Sequence, residues 1–480
     1  MANERRSTTV KDQTKQVASE VRVQLDTIVP TGSFALVEGA LPTALHGDTS
    51  FSTTNKVTRK ALFTSKAVSA AGSQLPIAAA DLYIERLKIL RAALAGDAKA
   101  AELRPALLDA KRQIDDTVRA NLSKMMAEQL ATETAWRELD AFVKLARQSD
   151  KEAVALRVAN VTVEELCTDD SKFTQLAAAI PRASALSMED MVSLLVLPAW
   201  VGDKAPLKKF GELAIDAKML VLGGVPEDEN EAKGLFGTGG TMADIAGSAI
   251  WQQNVVLVAN DLRVRPPNPH YETGGNGVYI SAAAVLAGQI AKGDVTTSLA
   301  DAQAGGGREI LLDKAVKLRW GDLTDRKFIE ATLGLNIVPA VMLGNKAVFW
   351  GVRNLYKVDE NSSEKVFSQY TSVRVRDYIG KKLVQFMNSE QVFRDNTPAR
   401  QRQLRRVITE FLQANSGSEE SRMLQHGECV DVRSRATSGG GADDSNLEID
   451  IVLKFKGAIE QVKIEIKAKK DGTNWKEEGA

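Results

Sequence analysis

The sequence predicts a mixed α/β protein: an α/β body preceded by a helical N-terminal region and followed by a domain of helices and antiparallel strands. Three observations carry this. Between residues 154 and 345 short apolar runs alternate with helical segments, the pattern of a sheet layered with helices through crossover connections. From about 81 to 147 apolar residues recur at spacings of three and four, the period of an amphipathic helix. Near the C-terminus three runs alternate apolar and polar residues with period two, as half-buried strands do.

Taken in order, residues 1–20 form a charged, apolar-poor arm, and Val21, Val23, Leu25, Ile28 and Val29 then alternate like a short strand. Residues 1–30 therefore read as extended. Residues 31–80 mix Gly, Ser, Thr and Ala around short apolar runs, with 39–55 reading as loop, and no firm element is expected there. The stretches 81–96 and 104–148 read as helices, Pro105 being tolerated in a first turn. Strands are expected at 154–163, 192–198, 218–225 and 254–260, with helices at 206–216 and 278–293. Strands at 335–344 and 346–352 follow, then amphipathic helices at about 370–389 and 398–414 and alternating strands at 427–437, 446–455 and 461–469. The organisation this gives is an arm (1–30), a loop and helical region (31–150), an α/β body (151–345) and a C-terminal domain (346–480) ending in strands.

A chain of 480 residues exceeds the size at which one hydrophobic core stops growing, so more than one folded unit is expected. Its 44% apolar and 26% charged residues are those of a globular protein. Lys plus Arg equals Asp plus Glu at 62 each, so net charge exerts no long-range pull on nucleic acid or an anionic membrane. Cys167 and Cys429 lie far apart, outside any CxxC pair and without a histidine at ligand spacing, which argues against a zinc or disulfide framework. The N-terminal residues lack the apolar core of a secretory signal and no apolar stretch is long enough to span a bilayer. A cytoplasmic protein without membrane insertion is the expectation.

The chemical motifs are weak. His46, His270 and His426 sit in Gly/Pro/Asn-rich settings, none within a helical turn of another, and read as surface-loop residues because catalysis or metal binding needs convergent partners. The glycine-rich stretch 234–247 has a strand before it and a helix-like run after it, so it superficially resembles a phosphate loop. It lacks a GK[ST] ending and misses the G-x-G-x-x-G register. A flexible loop is the favoured reading, with an α/β nucleotide-binding enzyme as the alternative. Asp169 with Asp170, and Asp443 with Asp444, read as solvated loop carboxylates. No catalytic residue, cofactor or metal ligand is assigned.

More telling is the segment 398–415, where Arg402, Arg405 and Arg406 recur at helical spacing opposite Leu404, Val407, Ile408, Phe411 and Leu412. A solvated face, a nucleic-acid face and docking to an acidic protein surface all remain open; the nucleic-acid reading is disfavoured because few aromatics are interleaved for stacking. Trp136 lies on an amphipathic helix with Leu139 and Val143 on its side and reads as a structural anchor.

Glu133, Trp136, Arg137, Leu139, Val143, Asn160, Val161, Glu165 and Leu166 resemble the helix-to-strand segment of the large sheath subunit of type VI secretion systems, TssC/VipB. Arg374, Arg376, Tyr378, Ile379, Val392, Phe393, Asn396, Thr397, Phe411 and Leu412 resemble the last domain of contractile tail sheaths in phages. The matching segments keep their order from about 110 to 470. The "HHPEFQ" and "PHFQ" stretches of the family are absent, the first replaced by AEQLATET, which leaves open whether a small companion sheath subunit is used.

The resemblance implies a contractile, tail-sheath-like fold and a structural role: a subunit that polymerises with itself around an inner tube and contracts without an enzymatic step. It also implies baseplate and terminal cap components as partners, in the cytoplasm or in a phage-like particle. On this basis the arm with Val21, Val23 and Leu25, the strand with Ile449, Ile451 and Leu453 and the strand with Val462, Ile464 and Ile466 would connect subunits by strand addition. Arg402, Arg405 and Arg406 would face the inner tube.

Overall fold

A computed structural model describes residues 60–65, 133–147, 156–181, 192–236, 239–267, 277–302, 307–312, 317–321, 336–359, 361–388, 395–419, 422–436, 442–457, 464–467 and 474–477, with the single positions 112, 116, 130 and 305. Its centre is a seven-stranded sheet. The strands are β1 (Lys60–Ser65), β2 (Leu156–Thr162), β3 (Val192–Leu197), β4 (Leu220–Gly224), β5 (Val255–Ala259), β9 (Ile337–Leu343) and β10 (Lys346–Phe349), in the order β10-β9-β5-β4-β3-β1-β2. All neighbours run parallel except the β9–β10 hairpin. β10 thus belongs to the central sheet, and the boundary drawn at residue 345 cuts through a hairpin.

Helices cover both faces. On one, α1 (133–146) and α6 (Ala282–Thr296) pack against Leu194, Val196, Leu220, Leu222, Val256 and Val258. The alternate residues Leu195, Leu197, Val221, Val255 and Leu257 meet α2 (Val163–Thr168), α3 (Asp170–Ala179) and α4 (Lys204–Ala217) on the other. Burial on both sides is why these strands are continuous apolar runs. Helix α6 is apolar nearly all round because it lies between the sheet and α1. Their contact is close: a Cβ at Gly288 would sit 2.8 Å from the Leu145 Cβ. Its start differs from expectation, since Val278–Ile280 form strand β7, paired with β6 (Leu262–Arg265), and the Ser281 side chain caps the helix by accepting the Ala283 amide. β6 also pairs with the short β8 (Lys317–Leu318), and α5 (Glu229–Phe236) follows β4.

The C-terminal lobe has its own core. Helices α7 (Tyr370–Phe386) and α8 (Pro398–Ala414) pack with a hairpin of β11 (Leu424–Ala436) and β12 (Ala442–Phe455) around Val375, Ile379, Leu404, Ile408, Leu412, Leu424, Cys429 and Val432. Strands β13 (Ile464–Lys467) and β14 (Asn474–Glu477) form a separate hairpin.

Polar side chains buried along α7 fasten lobe to body. Arg374 and Asp294 form two bonds of 2.8 and 2.5 Å, the Asp377 carboxylate accepts from Asn254, and Lys381 Nζ donates to the Val192 carbonyl at 2.9 Å. Positions 374, 377 and 381 recur at spacings of three and four, so one stripe of the helix makes all three contacts.

Candidate assembly surfaces

The arginine segment and the alternating strands expected at 427–437 and 446–455 come together in the lobe. Helix α8 starts on the Thr397 cap, whose side chain accepts the Arg400 amide, with Pro398 in the first turn. Its apolar stripe, Leu404, Ile408 and Leu412, is buried against Ile449, Ile451 and Leu453 on one face of β12. Those three residues therefore face the chain's own core. Neither β11 nor β12 has a third strand among the described residues, though on β11 the Cys429 amide donates to the Thr409 hydroxyl and Leu424 bonds with Asn415 and Gly417.

Arg402 and Arg406 point away from the buried stripe. Arg406 is 78% exposed and pairs with Glu410 at 3.1 Å, one helical turn on. Arg405 lies at the flank, and its Nε donates to the Cys429 carbonyl at 3.1 Å. The cationic face offered outward thus rests on Arg402 and Arg406, with Arg405 partly engaged within the lobe. Beside it, Lys382, Leu383, Phe386, Val407, Ile408 and Phe411 line an open groove of about 450 Å³ between α7 and α8.

The outer face of the ribbon is acidic. Asp431 and Asp450 stand directly opposite each other, and Arg433 bridges them at 3.0 and 2.5 Å while reaching Glu448 at 3.3 Å. Val430 and Val452 are exposed on this face at 43% and 55%. Of the other residues expected to connect subunits, Ile464 and Ile466 lie in β13, opposite Glu477 and Trp475. Val21, Val23, Leu25 and Val462 lie outside the described residues.

Trp136 is not the anchor its sequence context suggests. It is 44% exposed, while Phe142, Leu145, Ala141 and Ala146 turn the inner face of α1 to the core. The helix is rotated so that Glu138, itself buried, accepts the Ser281 amide at 2.9 Å, and satisfying that carboxylate carries Trp136 outward.

The glycine-rich stretch does not form a phosphate cradle among its described residues. Its first three residues, 234–236, end helix α5, so a helix and not a strand leads into it. Its amides are spent internally: Met242 N–H donates to Leu235 O, Ile245 N–H to Met242 O and Gly247 N–H to Leu355 O. Asp244 pairs with Lys204 at 2.8 Å, which holds its carboxyl below the usual range. Gly240 is required by closeness, since a Cβ there would lie 2.2 Å from Leu235 O.

His426 is exposed in strand β11, not in a loop, with Glu428 at 3.8 Å; His46 and His270 lie outside the described residues. Both cysteines are free, and burial pushes the Cys167 thiol up to about 11. Asp169 caps α3 and Asp170 pairs with Lys209 at 2.6 Å. Among the described residues no three His, Cys, Asp or Glu side chains are grouped to hold a metal, and no helix is long and apolar enough to cross a membrane.

Residues 124–330 match the family model of the type VI secretion system TssC/VipB central domain. Over this stretch the chain is similar to the TssC/VipB family of contractile sheath proteins. No curated protein matches it. Similar solved structures include a chain of the anti-feeding prophage baseplate, at 13% identity and TM-score 0.45, covering 70% of this chain and 81% of that one. A chain of the contracted PVC sheath complex, an extracellular contractile injection system, has 15% identity and TM-score 0.43 over the same shares. A sheath tail protein of Desulfitobacterium hafniense has 14% identity and TM-score 0.36 over 60% of each chain.

The residues behind the resemblance make structural contacts. Glu133 is held by Arg137 at 2.7 Å and by Arg265 at 2.9 Å. Thr162 and Glu165 form a reciprocal capping box at the start of α2. Asn396 donates to the Ser434 hydroxyl, tying the entry of α8 to β11.

Proposed function

We propose that this chain is a structural subunit of a contractile sheath, polymerising with itself around an inner tube and driving that tube through a target envelope by contraction. The observation that carries the reading is the TssC/VipB central-domain match over 124–330, joined to a C-terminal lobe whose long two-stranded ribbon has no third strand among the described residues. Open edges are where strands from other copies add, and their main-chain bonds persist while looser contacts between bodies rearrange. The arm with Val21, Val23 and Leu25 and the strand with Val462, Ile464 and Ile466 are the connecting segments in this reading, and β12 with Ile449, Ile451 and Leu453 belongs to the sheet that receives them. Baseplate and cap components complete the assembly in the cytoplasm or a phage-like particle. A small companion subunit would add further strands to the same mesh. No chemical step is assigned, and the engaged amides of the 239–247 loop disfavour the nucleotide-enzyme alternative.

The arginine face of α8 is the surface offered to the tube. Exposed ion pairs contribute about 0.2–1 kcal/mol each, but repetition in every subunit makes them decisive. Changing Arg402 and Arg406 together to Glu should leave the fold intact and abolish co-assembly with the inner tube, read by sedimentation; Arg405, which also donates to the Cys429 carbonyl, is left in place. Unchanged tube-dependent assembly at low salt would overturn this assignment.

A further inference from the structure

Two faces of the C-terminal lobe carry opposite charge and cannot meet within one chain. Helix α8 covers the inner face of the ribbon, so Arg402 and Arg406 look out from one side of the lobe. The outer ribbon face looks out from the other. That face holds four carboxylates, Glu428, Asp431, Glu448 and Asp450, against two cations, Arg433 and Lys454, and Arg433 is already shared among three of the carboxylates. Val430 and Val452 are exposed beside them. A surface with more carboxylates than cations beside exposed valines, where Glu428 has among the described residues only His426 at 3.8 Å, suits arginines, whose methylene stems cover apolar groups while the guanidinium meets the charge.

We infer that the outer face of the β11–β12 ribbon is a docking surface for the arginine face of α8 of a second copy, a contact for which the inner tube competes. The inference rests on the reading of the chain as a polymer subunit. Because the two surfaces differ, each copy that docks still presents one free face of each kind. The contact is heterologous and open-ended, and it propagates along a filament. The same arginines thus have two acidic partners, the tube and the next copy, which exclude each other at any one helix.

The test uses the full chain without tube protein at low salt, where surface charge is least screened, with assembly followed by sedimentation. Glu428 and Val452 stand directly opposite each other in the ribbon and outside the Arg433 clamp. Glu428→Lys with Val452→Lys should raise the critical concentration for tube-free assembly about tenfold or more, and adding the inner tube protein should largely remove the difference. Combining that pair with Arg402→Glu and Arg406→Glu should restore tube-free assembly without restoring tube binding. If the lysine pair unfolds the lobe, Glu428→Gln with Val452→Thr should give a smaller rise in the same direction. Ribbon variants that assemble like the parent without tube, or a charge swap that fails to rescue, would overturn the contact. So would a parent that assembles only on tube, an outcome that leaves the sheath reading standing.

Discussion

Side chains on α1 and α7 show how burial, and not residue type, decides what a position contributes. Trp136 is large but 44% exposed, whereas Phe142 is 1% exposed and packed against α6 and the sheet. Phe142→Ala should cost about 3–5 kcal/mol by leaving a cavity, while Trp136→Ala should cost under about 1 kcal/mol; urea unfolding of the two variants checks the ranking. Lys381 makes a second case. Burial lowers its pKa from 10.5 to about 8, Asp377 opposing the shift and Lys218 and Arg374 adding to it. The charged form is disfavoured in the fold, so between pH 8 and 10.5 the unfolded chain holds a proton that the native one has lost, and stability rises with pH across that window. The gain is on the order of 3 kcal/mol. The stability of the parent relative to Lys381→Met should therefore increase from pH 8 to 10.5, and a flat difference across that range would refute the assignment.

Elements were legible where one chain segment decides its own burial. The runs 194–197, 220–224 and 255–259 are apolar throughout because both sheet faces are covered, and the arginine helix showed its stripe through Leu404, Ile408 and Leu412. The start of α6 was misread because the apolar residues of β7 run straight into it, and only the Ser281 cap marks the join. The buried stripe of α7 was invisible. Its partners Asp294, Asn254 and Val192 lie 80, 123 and 189 residues away, and nothing local marks Arg374, Asp377 or Lys381 as buried. For β13 the structure adds a local partner, β14. Proline at Ile464 removes a ladder donor and fixes φ. If β13 connects subunits, Ile464→Pro should remain soluble and melt cooperatively, as a monomer that forms no tubes. Tube formation by this variant would exclude β13 as a connector, whereas loss of cooperative melting would assign the strand to the subunit's own core.

At the scale of the whole molecule, the α/β class could be read from the alternation of periods, but the strand order could not. β1 lies in a stretch from 31 to 80 where no element was expected, yet it pairs with β2 and β3 and places the sheet's edge; those pairings join residues more than ninety positions apart, beyond any local pattern. The surfaces of the C-terminal lobe show the same division. The cationic face was visible as a helical period, while the acidic ribbon face became apparent only when β11 and β12 were paired in register. The central claim is polymerisation. Negative-stain microscopy of the purified full-length chain, with and without its inner tube protein, should show rings or long hollow tubes of regular helical repeat. A discrete small globular oligomer under every condition, at low salt and with tube present, would contradict it.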